Sequence, residues 1–176
     1  MTEEEKALAG MFYFAGEAEI DKERIRSQDL SWEYNQIKPS DKAARDALVR
    51  REMKKTGKNF RIEQPFHCDF WGRVSLGENF FSNYNFTILA GNMVTIGDNV
   101  IIGANSTVTH DIPPGMVAAG TPAKVICTLE EYLKKETERM QNAPCYGEEY
   151  TLRKDVSMDM RMQQKQELQG VIGYID

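Results

Sequence analysis

The sequence predicts a mainly β fold: a short parallel β-helix of about three to four coils, closed by helices at both ends. Three observations carry this expectation. Ile96, Ile102 and Val108 lie six residues apart, and each is followed by a small residue, Gly97, Gly103 or Thr109. Leu76, Ser82 and Ile88 repeat that spacing upstream, with a slip of two residues before Ile96. On both sides of this Gly- and Asn-rich, β-branched stretch the pattern turns helical.

A period of six fits neither an α-helix nor an ordinary strand, whereas short internal periods mark solenoids. Three hexapeptides make one triangular coil of roughly 18 residues. The aliphatic residue of each hexapeptide points into the prism and stacks on its equivalent in the next coil. The residue after it must be small because the chain bends there, and Asn, Asp or Gly near the corner tolerates positive φ. One coil cannot bury its own aliphatics, so coils must stack and the ends must be covered.

Residues 1–58 read as an N-terminal helical cap. Thr2 and Glu5 have capping-box spacing. The stretch 21–35 opens on the N-cap candidate Asp21, and its Ile25, Leu30 and Trp32 only loosely share a face. The stretch 40–57 fits a helix better, with Ser40 to cap it, Ala44, Leu48 and Val49 as an apolar stripe, and Gly57 to end it. Residues 59–126 are the hexapeptide-repeat coil. Residues 127–176 form a C-terminal helical extension. A helix over 128–140 opens on the capping box of Thr128 and Glu131, a loop follows over 142–153, and a last helix spans 157–170, ending at Gly170. Met158, Met160 and Met162 in that helix are expected as packing residues.

Composition removes several classes. Lys and Arg number 22 against 27 Asp and Glu, a net charge of −5, which argues against a nucleic-acid partner. The locally basic run 49–58 reads as a solvated helix face. No apolar run approaches the ~18 residues that cross a bilayer. The N-terminus is acidic, unlike a signal peptide, so the expected location is the cytoplasm, with no membrane partner. Cys68, Cys127 and Cys145 are scattered and read as reduced thiols, Cys68 and Cys127 in buried packing. His67 beside Cys68 lacks further ligands at zinc-like spacing, so no metal site is expected.

Together, "LAGMFYFAGEAEI", "RIRSQDLSWEYN", "IEQPFHCDFWGRVSLGENFFSNYNFTIL", "VTIGDNV" and "IIGANSTVTHDIPPGMVAAGTPAKVI" resemble the maltose/galactoside O-acetyltransferases of the hexapeptide-repeat class, over about residues 7–126. The resemblance implies a left-handed parallel β-helix that forms a homotrimer, with sites in clefts between subunits. It implies transfer of an acetyl group from acetyl-CoA to a small-molecule hydroxyl acceptor such as a sugar, without a metal. A histidine takes the hydroxyl proton, because an alcohol is a poor nucleophile until that proton leaves.

Residue by residue, Asn83 matches an acceptor-binding asparagine. Ala104, Thr109, His110 and Lys124 match positions lining the CoA cleft, with His110 in place of lysine and Lys124 in place of arginine. The family's acidic acceptor contacts fall on Phe14 and near Ala90 and Gly91, none of which carries a carboxylate. The middle stretch that holds the family's catalytic histidine is absent, as if whole central coils had been removed. His110 then stands as the substitute base. Two functions follow: an O-acetyltransferase, or a catalytically inactive trimeric scaffold or ligand-binding relative.

Overall fold

The computed structural model describes residues 1–150, 155–170 and 173–175, in two compact units, Met1–Leu129 and Glu130–Asp176. The first unit opens with α1 (Glu3–Leu8), α2 (Ala18–Gln36) and α3 (Lys42–Glu52). Thr2 and Glu5 form the expected reciprocal capping box. The other helix ends differ from expectation. Glu17, not Asp21, caps α2 by accepting from the amides of Glu19 and Ile20. Asp41, not Ser40, caps α3 by accepting from Ala44 N–H. Nor does α3 continue to Gly57. Its amides are captured elsewhere: Lys54 N–H donates to Val74 O and Gly57 N–H to Leu76 O, which lays the chain along the first coil.

Nine strands then wind around three faces: β1 (Phe60–Ile62), β2 (Phe66–Cys68), β3 (Val74–Leu76), β4 (Phe80–Ser82), β5 (Phe86–Ile88), β6 (Val94–Ile96), β7 (Ile101–Ile102), β8 (Thr107–Val108) and β9 (Met116–Gly120). Face I stacks β1, β4, β7 and β9; face II stacks β2, β5 and β8; face III stacks β3 and β6, extended by the single pairings Lys55–Ser75 and Ile96–Ile112. All these pairings are parallel. The strand β10 (Ala123–Thr128) folds back antiparallel on β9 and extends face I by one strand.

The coil has 20 residues rather than 18. Ile62 lies against Ser82, Cys68 against Ile88 and Leu76 against Ile96, each partner 20 residues on. The slip between Ile88 and Ile96 is therefore a regular feature, since Cys68 to Leu76 already spans eight residues. Two sides have six residues and the third has eight, because the corner from face II to face III carries a wider loop. In the first coil that loop includes a 3-10 turn at Trp71–Arg73, with Trp71 fully buried. The last coil loses this loop: Ile112 returns to face III four residues after Val108.

Inward side chains form the core. Ile88, Ile96, Ile102 and Val108 are fully buried, as are Phe66 and Phe86, whose rings stack at 5.3 Å. Asn79, Asn85, Asn99 and Asn105 turn the corners at φ of 54° to 58°. Their amides form ladders, Asn79 Nδ2 to Asn99 Oδ1 at 2.9 Å and Asn85 Nδ2 to Asn105 Oδ1 at 2.8 Å. The helix α2 closes the open first rung. Asn35 both accepts from Phe66 N–H and donates to Phe66 O, each at 2.9 Å, so the exposed edge of β2 is satisfied by a side chain. Tyr34 Oη donates to Ile62 O at 2.8 Å.

The second unit holds most of α4 (Leu129–Gln141), then β11 (Cys145–Tyr146), α5 (Met158–Glu167) and β12 (Tyr174–Ile175), with β11 and β12 pairing in parallel. The loop expected over 142–153 thus contains a strand and a 3-10 turn at Glu148–Tyr150; its residues 151–153 lie outside those described. Ser157 caps α5, and Gly170 follows it at φ 81°. The methionine expectation fails at two positions, since Met158 and Met162 are exposed. Cys127 is half-buried rather than buried, while Cys68 lies in the core.

Three stability predictions follow from the stack. A Cβ on Gly77 would stand 2.4 Å from the backbone carbon of Gly97, where nothing can give way. Gly77→Ala should lower the urea-derived stability by about 3 kcal/mol. Gly72→Ala, with open space around it, should change it by less than about 0.5 kcal/mol. Ser82 occupies an inward position between Ile62 and Ile102, fully buried, and its Oγ has no hydrogen-bond partner among the described residues. Ser82→Ala should stabilise the protein by about 1 kcal/mol in the same titration.

Candidate acceptor and donor edges

Parallel strands begin at one edge of a face and end at the other, so face II has two distinct edges. The I/II corner carries Asn83, Tyr84 and Asn85 between β4 and β5, and Gly103, Ala104 and Asn105 between β7 and β8. Asn83 N–H donates to Ile102 O, and Asn105 N–H to Tyr84 O, both at 2.9 Å, which locks the two turns together. The positive φ of this corner belongs to Asn85, not Asn83. Asn83 Oδ1 instead accepts from Tyr84 N–H at 2.8 Å, leaving its NH2 group available to a ligand. Ala104 is exposed.

The tip of the β9–β10 hairpin sits at the same corner. Thr121 Oγ1 donates to Asn105 O at 3.1 Å. Lys124 pairs opposite Ala119 near that tip, with its side chain exposed. The fold therefore gathers Asn83, Ala104 and Lys124 along one edge, although they are far apart in sequence.

Thr109 and His110 lie on the other edge, directly after β8. His110 is exposed, and its Nδ1 hydrogen-bonds Thr109 Oγ1 at 2.8 Å. Within one chain, then, His110 and Asn83 flank face II from opposite sides, and the structure does not bring them together. Phe14 is exposed and Ala90 fully buried. Gly91 is held through its carbonyl, which accepts from Arg73 Nη1 at 2.8 Å. None of these three places a carboxylate at the edge.

Sequence reasoning passed over Asp69. It follows the inward Cys68 at the II/III corner and is half-buried. Its Oδ1 accepts from Ala90 N–H at 2.6 Å. Burial raises its pKa above the ordinary 3.8, a rise that the Ala90 amide and the Arg73 guanidinium only partly offset. The available signal was its place one residue beyond an inward hexapeptide position. His67 points outward on β2, in register with Thr87. Both line a cleft of about 350 Å3 between α2 and face II, together with Gln28, Trp32, Asp69 and Leu89. Among the described residues no group of three or more His, Cys, Asp or Glu is arranged to hold a metal ion, and no helix is long and apolar enough to cross a membrane.

The raised pKa of Asp69 has a signed consequence. Folding favours its protonated form, so its contribution is full below the unfolded value and is lost as pH rises through the higher folded value. Asp69→Asn keeps an acceptor for Ala90 N–H and removes the charge. Urea midpoints between pH 3.5 and pH 7 should show the variant gaining on the parent protein as pH rises.

Comparison with known proteins agrees with this architecture. Residues 6–57 match the maltose acetyltransferase hexapeptide capping motif. A protein of Staphylococcus aureus (strain MRSA252), named as a candidate acetyltransferase, is 40% identical over 77% of this chain and 96% of its own length. That alignment runs over 191 residues, longer than this chain of 176, so it contains gaps in this chain. The solved galactoside acetyltransferase in complex with coenzyme A superposes with a TM-score of 0.58 at 26% identity, over 76% of this chain and 94% of that one. A maltose O-acetyltransferase from Clostridium difficile 630 superposes with a TM-score of 0.50 at 29% identity, over 73% and 97%. On this shared length, capping motif and stacked coil, the chain belongs to the maltose/galactoside O-acetyltransferase family of hexapeptide-repeat acetyltransferases.

Proposed function

We propose that the protein is an acetyl-CoA-dependent O-acetyltransferase acting on a sugar or related hydroxyl compound, working in the cytoplasm as a homotrimer of left-handed coils. The observation that carries this reading is the division of candidate groups between the two edges of face II. Asn83, Ala104 and Lys124 stand on one edge, Thr109 and His110 on the other. Three-fold packing sets one subunit's first edge against its neighbour's second, and the two half-sites then form one cleft. Exposed apolar side chains along this face, Trp32, Tyr84 and Leu89, suit burial by a neighbouring subunit.

In this cleft the donor lies along the coil. Ala104, with no side chain beyond Cβ, leaves room for the pantetheine arm, Thr109 offers a hydroxyl, and Lys124 meets a CoA phosphate as a point charge. The free amide of Asn83 donates to the acceptor hydroxyl. His110 takes that hydroxyl's proton through Nε2, since Nδ1 is engaged with Thr109. The oxygen attacks the thioester carbonyl, and the thiolate of CoA leaves with a proton returned by the imidazolium. No metal enters the scheme. The second reading, an inactive scaffold, has its own support. Among the described residues no carboxylate orients the His110 ring, and gaps in the relatives' alignment fit the loss of central coils that hold the family's base.

Release of free thiol from acetyl-CoA with a panel of glycosides separates the two. Turnover is expected, with His110→Ala lowering kcat by about 100-fold or more while KM for acetyl-CoA stays unchanged. Lys124→Ala should raise that KM by about tenfold with kcat retained. No turnover, joined with no shift in melting temperature on adding acetyl-CoA, would establish the scaffold.

A further inference from the structure

A neutral imidazole acts as a base only through the nitrogen that lacks a proton, so the tautomer of His110 decides whether Nε2 can accept one. A carboxylate partner settles that question, because it only accepts and so keeps the ring proton on Nδ1. Asp111, the adjoining carboxylate, is engaged elsewhere, with Oδ1 on the amide of Thr95 at 2.7 Å. His110 Nδ1 meets the hydroxyl of Thr109 instead, at 2.8 Å. Thr109 is half-buried at the edge of face II, and its hydroxyl makes no other bond among the described residues. A hydroxyl has one donor and two acceptor lone pairs, so this contact has two arrangements. With Thr109 Oγ1–H donating to Nδ1, the ring proton lies on Nε2 and the ring cannot act as a base there. With Nδ1–H donating to Oγ1, Nε2 is bare and ready. A hydroxyl alone does not choose between them, and the choice passes to whatever accepts the Thr109 proton.

We infer that acetyl-CoA makes this choice: a carbonyl oxygen of the bound donor accepts the Thr109 O–H, Oγ1 then accepts from His110 Nδ1–H, and Nε2 is freed to take the acceptor's proton. Thr109 is thus a positioning residue that acts through His110 and ties the base to an occupied donor site. The two arrangements exchange one hydrogen bond for another, so a single new bond from the donor is enough to move the population. Transfer leaves Thr109 unchanged. The acceptor's hydroxyl proton passes to Nε2, the new C–O bond forms as the C–S bond breaks, and the imidazolium returns its proton to the departing thiolate. Oγ1 keeps both of its bonds throughout, and the Nδ1–H bond strengthens while the ring is charged. The inference rests on the reading of His110 as the base, and adds control of that base by its own co-substrate.

The chain has 2 histidines, so His67→Gln leaves the His110 imidazole alone in the nitrogen NMR spectrum of labelled protein. The spectrum is read at about pH 8, where an imidazole is neutral. Adding acetyl-CoA should move Nδ1 towards the protonated position and Nε2 towards the bare one. CoA is the second arm. A shift with CoA assigns the accepting oxygen to a pantetheine amide, a shift with acetyl-CoA alone assigns it to the thioester, and either upholds the coupling. Thr109→Val should abolish the shift and lower kcat at saturating acetyl-CoA about tenfold. Thr109→Ser, which keeps the hydroxyl, should restore both. Thiol release is measured in parallel on every variant. A donor-dependent tautomer without thiol release upholds the coupling while the acetyltransferase reading falls. Turnover that needs His110, with a tautomer indifferent to donor or with kcat unchanged in Thr109→Val, overturns the coupling and leaves that reading standing. A spectrum unmoved by acetyl-CoA together with no turnover overturns both.

Discussion

Every part of the repeat unit depends on one constraint: each inward side chain must rest on its equivalent in the next coil, 20 positions later in the first coils and 16 in the last. The parallel register of all three faces enforces it, and the fully buried Ile88, Ile96, Ile102 and Val108 show the result. Because each rung buries the rung before it, backbone separation between coils is fixed. That is why glycine is required where Gly77 meets Gly97, and why asparagines at the corners come into register to bond one another. A polar intruder such as Ser82 is tolerated because aliphatic neighbours on both sides hold the register without it.

A stack of this kind has two raw ends, and the chain closes them differently. At the first rung α2 supplies side chains in place of a strand, with Asn35 taking both hydrogen bonds of Phe66 and Ser31 receiving the amide of Cys68. At the last rung β10 folds back along β9. The first device satisfies the edge of β2 with side chains, and the second covers the edge of β9 while β10 becomes the new edge of face I. They also shape the candidate site surfaces. The turn between β9 and β10 carries Lys124 to the I/II corner, and α2 raises Trp32 beside His67 and Thr87.

The same geometry separates the candidate groups. Hexapeptide corners project short polar segments at both edges of a face, so one chain carries its candidate groups on two separate edges. Shortening such a coil by whole turns leaves the stack intact, since the remaining rungs still find partners of the same kind. Chemistry is less forgiving than packing here, because a base must stand within hydrogen-bond reach of one particular hydroxyl. Fold and activity are thus governed by different requirements in this family.

Much of the fold was legible in the residues alone. The spacing of Ile96, Ile102 and Val108 identified inward positions, because the direction of a side chain along a regular coil is a local property. The capping box of Thr2 and Glu5 was equally local. What periodicity could not supply was anything set between coils. The extra two residues at the first two II/III corners looked like a flaw in one repeat, until pairing of Leu76 with Ile96 showed them to be part of a 20-residue turn. The end of α3 depended on carbonyls of Val74 and Leu76, some 20 residues away. Asn83, Ala104 and Lys124 share an edge, while His110 stands on the opposite one, because register and hairpin return bring distant segments together or hold neighbours apart. The sequence determined which residues face inward; only the tertiary structure decided which outward residues meet, since that follows from long-range hydrogen bonding rather than from local pattern.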